Sequence, residues 1–220
     1  MSSKLQAALF DLDGVIVDTA KYHYLAWKAI ADQEGIVFNH EINERLKGVS
    51  RMASLDVILE KGSRTYSAEE KLALAEKKNA NYVEMIQKLE PEEILEGIPA
   101  FLDALRAAGI KTAICSASKN ADMILGLLGL KPKFDTIVGG NDTTRSKPDP
   151  EVFQVAAQRF GIAPEHCLVF EDALAGVQAA KSAGMKAVGI GEADQLKPAD
   201  VVYKHTGLLD LDTITKLLFS

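Results

Sequence analysis

Short apolar runs recur along the chain, and each is followed by a stretch with helical periodicity. The runs lie at residues 5–10, 111–116, 136–140, 167–170 and 187–190. Runs of this length that are apolar almost throughout are typical of strands buried on both faces of a parallel sheet. We therefore predict five parallel strands.

Amphipathic helices are predicted between these strands. The segments 99–109, 150–161 and 173–184 each place apolar residues at helical spacing and end at a glycine that can cap a helix. Regular alternation of strand and helix is typical of an α/β fold with a doubly wound, Rossmann-like parallel sheet. That fold class is our prediction for the core.

The strand pattern is interrupted between residues 18 and 90. Four amphipathic helical patterns fill this interval, at residues 18–35, 41–51, 53–62 and 67–90. A helical block inserted after the first strand predicts a small cap over the carboxyl edge of the sheet. We predict a core domain made of residues 1–15 and 92–220, and a helical cap domain made of residues 16–91.

Composition and charge narrow the class of protein. The chain has 220 residues, 47% hydrophobic and 25% charged, with a net charge of -6, and it lacks an apolar run long enough to span a membrane. The opening MSSKLQ lacks the apolar stretch of a secretory signal, so we expect a cytoplasmic protein. An acidic balance argues against nucleic acid or an anionic membrane as a partner. We expect a monomer.

Two carboxylates end the first predicted strand in FDLDGVIVDT, where Gly14 follows Asp13. Asp11 and Asp13 lie two residues apart, so strand alternation places them on one side, at the edge where open α/β sheets bind ligands. Two adjacent carboxylates repel each other unless a cation joins them, and Mg²⁺ favours oxygen ligands. The alternative is an ordinary Asp-Gly turn.

Three later strand ends also carry polar side chains. Ser116 ends the second strand in ICSASKN, Lys147 lies in RSKPDPEVF before a helix, and Glu171 and Asp172 end another strand in VFEDALAG. A hydroxyl and a helix N-terminus can hold phosphate oxygens, and an ammonium can neutralise them. Helix capping by Ser116 or Ser118, a solvated loop lysine and an N-cap acid are the alternatives.

The order of these strand ends, Asp-x-Asp, Ser, Lys and Glu-Asp, resembles the haloacid dehalogenase superfamily over nearly the whole chain. The resemblance implies that Asp11 is a nucleophile that forms an aspartyl phosphate and that Asp13 is the general acid and base. It implies that Ser116 and Lys147 bind the transferring phosphoryl group. The magnesium ligands that it implies are Asp11, the backbone carbonyl of Asp13, and Asp172, with Glu171 beside them.

Within that superfamily the cap and core segments resemble the β-phosphoglucomutases. The matching segments are DTAKYHYLAWK, ERLKGVSR, KKNANYV, SASKN and SKPDPEVF. This resemblance implies interconversion of β-glucose 1-phosphate and glucose 6-phosphate through a β-glucose 1,6-bisphosphate intermediate. The implied substrate residues are a cap loop of Gly48, Val49, Ser50 and Arg51, a core turn of Ser118, Lys119 and Asn120, and His23 and Lys78, which help to place Asp13.

Chemical arguments apply to Arg51, one of these implied contacts, and to Trp27, which the resemblance does not assign. Arg51 suits the distal phosphate because its planar guanidinium binds phosphate through two hydrogen bonds. Trp27 is a candidate sugar contact, although its place on an amphipathic helix favours packing inside the cap.

Two other activities stay open. One is a magnesium-dependent sugar-phosphate phosphatase, which needs only water in place of the sugar hydroxyl. The other is a phospho-aspartate receiver domain, which the helical insert argues against because receivers lack one.

The chain departs from the usual β-phosphoglucomutase pattern at two places. One is Cys115, where alanine is common, and the other is IVGGNDTTRSKP, where a smaller residue near Arg145 is usual. Neither departure is expected to touch a proposed catalytic group.

Overall fold

A computed structural model describes residues 4–219, so residues 1–3 and 220 lie outside the described part. The first residues of the predicted core segment and of MSSKLQ therefore fall outside it. The strands within residues 4–219 are β1 (Ala7–Phe10), β2 (Lys111–Cys115), β3 (Thr136–Val138), β4 (Cys167–Glu171), β5 (Lys186–Ile190) and β6 (Val201–Tyr203). The α-helices there are α1 (Ala20–Gln33), α2 (His40–Glu44), α3 (Arg51–Leu59), α4 (Ala68–Ile86), α5 (Ile98–Ala107), α6 (Ala121–Leu127), α7 (Glu151–Phe160), α8 (Leu174–Ser182) and α9 (Leu211–Phe219). None of these helices is long and apolar enough to cross a membrane.

The strands form one sheet in the order β3-β2-β1-β4-β5-β6, and every neighbouring pair is parallel. This confirms the predicted doubly wound α/β core, with its five strands. The sixth strand, β6, was not predicted because it has only three residues, all partly exposed at the edge of the sheet. Its apolar run, Val201 to Tyr203, is shorter than the runs from which the other five strands were predicted.

The central strands are buried on both faces, as the apolar runs predicted. On one face Phe10 stacks on Phe170 with ring centroids 4.6 Å apart, and it meets Phe101 of α5 edge to face at 6.3 Å. On the other face Leu9 and Val169 belong to a second cluster, with residues of α7 and α8. Helices on both faces of the sheet thus hold the carboxyl ends of β1, β2 and β4 in a rigid row.

The helices α1 to α4 pack around a hydrophobic cluster of their own. Trp27, Ile30, Leu55, Ile58 and Leu74 are among its buried members. Other residues of this block, Tyr82 and Ile86 of α4, belong instead to the core cluster beneath the sheet. The fold class with an inserted helical cap is therefore confirmed, whereas the boundaries at residues 16–91 stay a prediction.

One predicted helix boundary in the cap is wrong. The segment 41–51 is not a single helix, because α2 ends at Glu44 and the chain turns at Gly48, which has φ = +73°. Ser50 is extended and its hydroxyl accepts a hydrogen bond from the backbone N–H of Ala53, so Ser50 caps α3. The helix that was expected to begin at residue 53 therefore begins at Arg51.

Candidate active site

The loop after β1 carries both predicted aspartates. Gly14 has φ = +81°, a conformation that glycine adopts readily, and its N–H donates to the carbonyl of Val17 at 2.9 Å. A Cβ atom at this position would lie 2.4 Å from Oδ2 of Asp172. The glycine therefore allows the loop to pass directly over the Asp172 carboxylate, which neither the turn alternative nor the strand pattern predicts.

Strand register explains how three segments meet at one point. Phe10 is paired with Ile114 on one side and with Phe170 on the other, so the next residues, Asp11, Cys115 and Glu171, form a row across three strands. Lys147 reaches this row from the loop before α7. The β1, β2 and β4 strand ends are thus joined by one cation.

Lys147 is buried, with 1% of its side chain exposed, and its ammonium contacts three acceptors. Nζ donates to Asp11 Oδ1 at 2.6 Å, to Glu171 Oε1 at 2.5 Å and to the backbone carbonyl of Cys115 at 2.9 Å. The alternative of a solvated loop lysine is therefore wrong. The Lys147–Pro148 peptide bond is cis, a point that the sequence left open.

The negative charges at this edge raise one another's pKa values. Burial, reinforced by the Asp11 carboxylate, raises the pKa of Asp13 to about 7. Burial also raises the pKa of Glu171 to about 7 and holds the pKa of Asp172 well above its usual range. Asp13 Oδ1 is buried and has no hydrogen-bond partner among the described residues. The site thus concentrates carboxylate charge that a bound cation would relieve.

Asp11, Glu171 and Asp172 can hold a metal ion. Each offers one carboxylate oxygen, and these oxygens lie within 4.8 Å of one another. An all-oxygen donor set fits a hard cation such as Mg²⁺. Glu171 is already a hydrogen-bond acceptor, from Lys147 and from the backbone N–H of Ala173 at 3.1 Å. Its carboxylate therefore joins the metal cluster to Lys147, while the ligand role of the Asp13 carbonyl stays a prediction.

The loop after β2 is shaped by its own serines. Ser116 Oγ accepts from the N–H of Ser118, and Ser118 Oγ accepts from the N–H of Asn120, both at 3.1 Å. Asn120 is the N-cap residue of α6, and in the described part of the chain its side chain makes no capping hydrogen bond to that helix. The two hydroxyls therefore fold the loop rather than cap the helix. Asn120 Nδ2 also donates to Asn79 Oδ1 of α4 at 2.9 Å, which ties this loop to the cap.

A cavity of about 500 Å³ lies between the cap and the carboxyl edge of the sheet. It is lined by every predicted site residue except Glu171, which lies beneath it. The predicted residues on its walls are Asp11, Asp13, His23, Trp27, Gly48, Val49, Ser50, Arg51, Lys78, Ser116, Ser118, Lys119, Asn120, Lys147 and Asp172. Their individual roles stay predictions, but the tertiary structure brings them to one place.

The cap side of the cavity contains a buried network around His23. Lys78 Nζ lies 2.8 Å from His23 Nδ1, and burial lowers the pKa of Lys78 to about 7. Burial and the nearby Lys78 also hold the pKa of His23 well below its ordinary value, so His23 is neutral. If Nδ1 accepts from the ammonium, the proton lies on Nε2, which is 3.8 Å from Asp13 Oδ2. In that tautomer the Nε2–H of His23 is on the side of the ring that faces the Asp13 carboxylate.

Trp27 belongs both to the core of the cap and to the wall of the cavity. Its side chain is 3% exposed, and Lys78 Nζ lies 4.8 Å from its ring centroid. The core-packing interpretation of Trp27 is therefore confirmed, and its contact with a sugar stays a prediction.

Several lining residues were not among the predicted site residues. They are Lys47, Glu76 and Asn79 of the cap, and Thr143, Thr144 and Arg145 of the core. Lys47 had a signal, because it directly precedes the predicted Gly48 loop. The expectation that neither departure touches a catalytic group is wrong at Cys115, whose backbone carbonyl accepts a hydrogen bond from Lys147. Arg145 lines the cavity, but its ion-pair contacts are with Asp149 and Glu151. The Cys115 contact is through the backbone, so the residue type there gave no signal.

Comparison with known proteins identifies the family. The model for haloacid dehalogenase-like hydrolases matches residues 5–184. The chain is 44% identical to the β-phosphoglucomutase of Bacillus subtilis over 212 residues, which cover 96% of this chain and 94% of the relative. This chain belongs to the haloacid dehalogenase-like hydrolase family. The solved β-phosphoglucomutase of Clostridium difficile, 42% identical, superimposes with a TM-score of 0.94 and 97% coverage of each chain.

Phosphatases of the haloacid dehalogenase-like family are also similar to this chain. A fructose-1-phosphate phosphatase of Escherichia coli is 31% identical over 191 residues, covering 86% of this chain and 98% of the relative. Membership in the family, together with the helical cap, removes the receiver-domain alternative. The choice between mutase and phosphatase rests on chemistry inside the cavity.

Proposed function

We propose that this protein is a β-phosphoglucomutase, which interconverts β-D-glucose 1-phosphate and β-D-glucose 6-phosphate. The observation that carries the proposal is that one cavity holds Asp11 and Lys147 together with Arg51 and Lys119. A mutase must hold one phosphate while it transfers another. Lys147 supplies positive charge for the phosphoryl group transferred to Asp11, and Arg51 and Lys119 supply it for the other phosphate. The similarity to β-phosphoglucomutases across nearly the full chain supports the same assignment.

The first half of the reaction places a phosphoryl group on Asp11. An Asp11 carboxylate oxygen forms a bond to phosphorus of β-glucose 1,6-bisphosphate, and the bond from phosphorus to the sugar oxygen breaks. Asp13, whose raised pKa keeps a proton available near neutral pH, gives that proton to the leaving oxygen. Lys147, 2.6 Å from Asp11, orients the nucleophile and offsets charge on the phosphoryl oxygens.

The second half returns the phosphoryl group to the other end of the next sugar. β-Glucose 1-phosphate binds with its 6-hydroxyl at Asp13, which takes the proton as the oxygen attacks the aspartyl phosphate. The resulting bisphosphate reorients, and its 1-phosphate passes back to Asp11 while the glucose 6-phosphate leaves. Arg51 and Lys119 hold whichever phosphate is not reacting, since charge and hydrogen bonds serve both orientations.

Mg²⁺ is the cofactor that we propose, with Asp11, Asp172 and Glu171 as its carboxylate ligands and the Asp13 carbonyl beside them. When bound, it supplies positive charge that stabilises the equatorial phosphoryl oxygens. We also propose that its substrates are sugar phosphates and that the enzyme is cytoplasmic and monomeric. The proposed helical cap domain consists of residues 16–91.

A phosphorus NMR time course tests the proposed activity. We expect pure protein with MgCl₂ and a trace of β-glucose 1,6-bisphosphate to convert β-glucose 1-phosphate into glucose 6-phosphate and to leave the α anomer unchanged. Release of inorganic phosphate at a rate comparable to isomerisation would favour the phosphatase, the second candidate that the Escherichia coli relative supports.

Magnesium is expected to raise the melting temperature, and to do so more at pH 8 than at pH 5.5. The pKa of Glu171 is raised to about 7 and that of Asp172 is also raised, so protons compete with the ion as pH falls through 7. At a magnesium concentration of about one hundred times the Kd, binding contributes about 2.7 kcal/mol. Thermal melts with MgCl₂ or EDTA measure the shift. Asp172→Asn should lose the magnesium-dependent rise in melting temperature. Asp212→Asn, the control at an exposed position on α9, should keep that rise.

Replacing Arg51 by alanine is expected to lower kcat/KM for the mutase reaction by about tenfold to a hundredfold, which is the range for one charged hydrogen-bonded pair. Hydrolysis of acetyl phosphate, which has no distal phosphate, should change little. Arg45→Ala is the matched control, because Arg45 lies in the same segment but pairs with Glu60 outside the cavity. Equal loss with both substrates would remove Arg51 from the distal-phosphate role.

A further inference from the structure

The loop from β3 to α7 is anchored at both ends by carboxylates. Asp142 accepts from the N–H of Gly139 at 2.8 Å and from Arg159 Nη2 at 2.5 Å. At the other end Glu151 accepts from the N–H of Thr144 at 3.0 Å and from the N–H of Arg145 at 2.6 Å. The backbone of Arg145 is therefore held in place, on the wall of the cavity.

The guanidinium of Arg145 keeps its hydrogen-bonding capacity open. Its side chain is 64% exposed, with Nη1 3.2 Å from Asp149 Oδ2 and Nε 3.7 Å from Glu151 Oε2. These are ion-pair contacts, and among residues 4–219 no acceptor forms a hydrogen bond with any of the five guanidinium N–H groups. Arg159 differs, because it donates to Thr136 Oγ1, to the Ile137 carbonyl and to Asp142.

The loop that carries Arg145 packs directly on the turn that carries Lys119. The N–H of Gly140 donates to the carbonyl of Ser118 at 3.0 Å, and a Cβ at Gly140 would lie 2.3 Å from the Ala117 carbonyl oxygen. Only glycine permits this approach. Arg145 and Lys119 thus stand on adjoining core loops, and Arg51 lines the cap side of the same cavity.

We propose that Arg145 is a substrate-binding residue for the phosphate that stays on the sugar during transfer. A phosphate dianion accepts paired hydrogen bonds from a guanidinium. Asp149, 3.2 Å from Nη1, and Glu151, 3.7 Å from Nε, leave guanidinium N–H groups of Arg145 available for such a pair. The two carboxylates hold the side chain before substrate binds, and the phosphate then takes over the open N–H groups. This inference rests on the proposed function, because a second phosphate is what Arg145 would bind.

Steady-state kinetics of Arg145→Ala test the proposal. We expect the KM for β-glucose 1-phosphate and the half-saturating concentration of β-glucose 1,6-bisphosphate each to rise about tenfold, with kcat nearly unchanged. Arg145→Lys should recover part of the loss. Hydrolysis of acetyl phosphate should not change. Lys61→Ala, which removes an exposed positive charge outside the cavity, should match the wild type.

Two results would overturn the Arg145 proposal. One is a KM in Arg145→Ala equal to that in Lys61→Ala. The other is an equal loss with acetyl phosphate, which would mean that Arg145 only shapes the loop before Lys147.

Failure of the proposed function gives a different pattern. A wild type that hydrolyses sugar phosphates without isomerising them overturns the mutase, and a monophosphate that is only hydrolysed leaves no second phosphate for Arg145. Binding of the bisphosphate then tests Arg145 separately. Calorimetric titration of β-glucose 1,6-bisphosphate into Asp11→Asn, with and without Arg145→Ala, measures binding without turnover. A Kd that is about tenfold weaker in the double variant supports the role, and an equal Kd overturns it.

Discussion

Turnover of β-glucose 1-phosphate is expected to fall about ten-thousandfold or more in Asp11→Asn, because an amide cannot form the aspartyl phosphate on which both half-reactions depend. The change keeps the shape of the side chain. Lys147 retains the Glu171 carboxylate and the Cys115 carbonyl as acceptors, so the fold should remain intact. Rapid-quench measurement of protein-bound phosphate after mixing with β-glucose 1,6-bisphosphate checks the chemical step directly.

The control for this variant is binding. Asp11→Asn should still bind β-glucose 1,6-bisphosphate, since Arg51, Lys119 and Lys147 are unchanged, and its melting temperature without metal should stay close to that of the wild type. Labelled phosphate found on the variant at the wild-type level would mean that another side chain is the nucleophile.

Lys147→Met is expected to lower the rate of phosphoryl transfer about a hundredfold to a thousandfold, the range for loss of one charge-stabilising donor at a reacting centre. It should also lower the free energy of unfolding by roughly 3 to 5 kcal/mol, because Asp11 and Glu171 lose the cation between them in a buried site. Both effects come from the same ammonium, since three acceptors converge on it.

The pH dependence separates this effect from a simple packing defect. Burial lowers the pKa of Lys147, but the Asp11 and Glu171 carboxylates outweigh burial and raise that pKa above its ordinary value of 10.5. Lys147 therefore stays protonated, and its contribution is present throughout the range below 10.5, which includes pH 5 and pH 8. In Lys147→Met the carboxylates become protonated as pH falls, so the loss of stability should be larger at pH 8 than at pH 5. Urea unfolding at both values measures it.

A surface lysine provides the control for Lys147→Met. Lys111→Met breaks an exposed pair with Asp135, and should cost less than about 1 kcal/mol at either pH. A loss in Lys147→Met that is equally small, or one that does not vary with pH, would contradict the buried ion-pair account.

Much of the site could be predicted because its residues are tied to strand ends. Asp11, Ser116, Glu171 and Asp172 directly follow or end buried apolar runs, and a parallel sheet brings the carboxyl ends of such runs to one edge. The register of Phe10 with Ile114 and with Phe170 then sets Asp11 beside Glu171. The family resemblance, not periodicity, supplied the roles of the cap residues.

Other features depend on contacts between distant segments, which local patterns do not encode. The helical pattern over residues 41–51 included Gly48, whereas the structure turns there with φ = +73°, and a Cβ at Gly48 would lie 3.5 Å from the Ala173 side chain and 3.7 Å from that of Lys147. The link from Asn120 to Asn79, with N and O atoms 2.9 Å apart, joins residues 41 positions apart. The short edge strand β6 forms only because β5 offers free backbone groups to pair with.

The order of apolar runs, by itself, determined five of the six strands described within residues 4–219, the helical insertion and the edge at which the carboxylates meet, because burial follows directly from side-chain hydrophobicity and period. Only the tertiary structure decided that Lys147 has three acceptors, that Asp13 Oδ1 has no hydrogen-bond partner within residues 4–219, and that Arg145 lines the cavity. Those facts depend on distances of a few ångströms between loops, and such distances are set by how whole elements pack against one another.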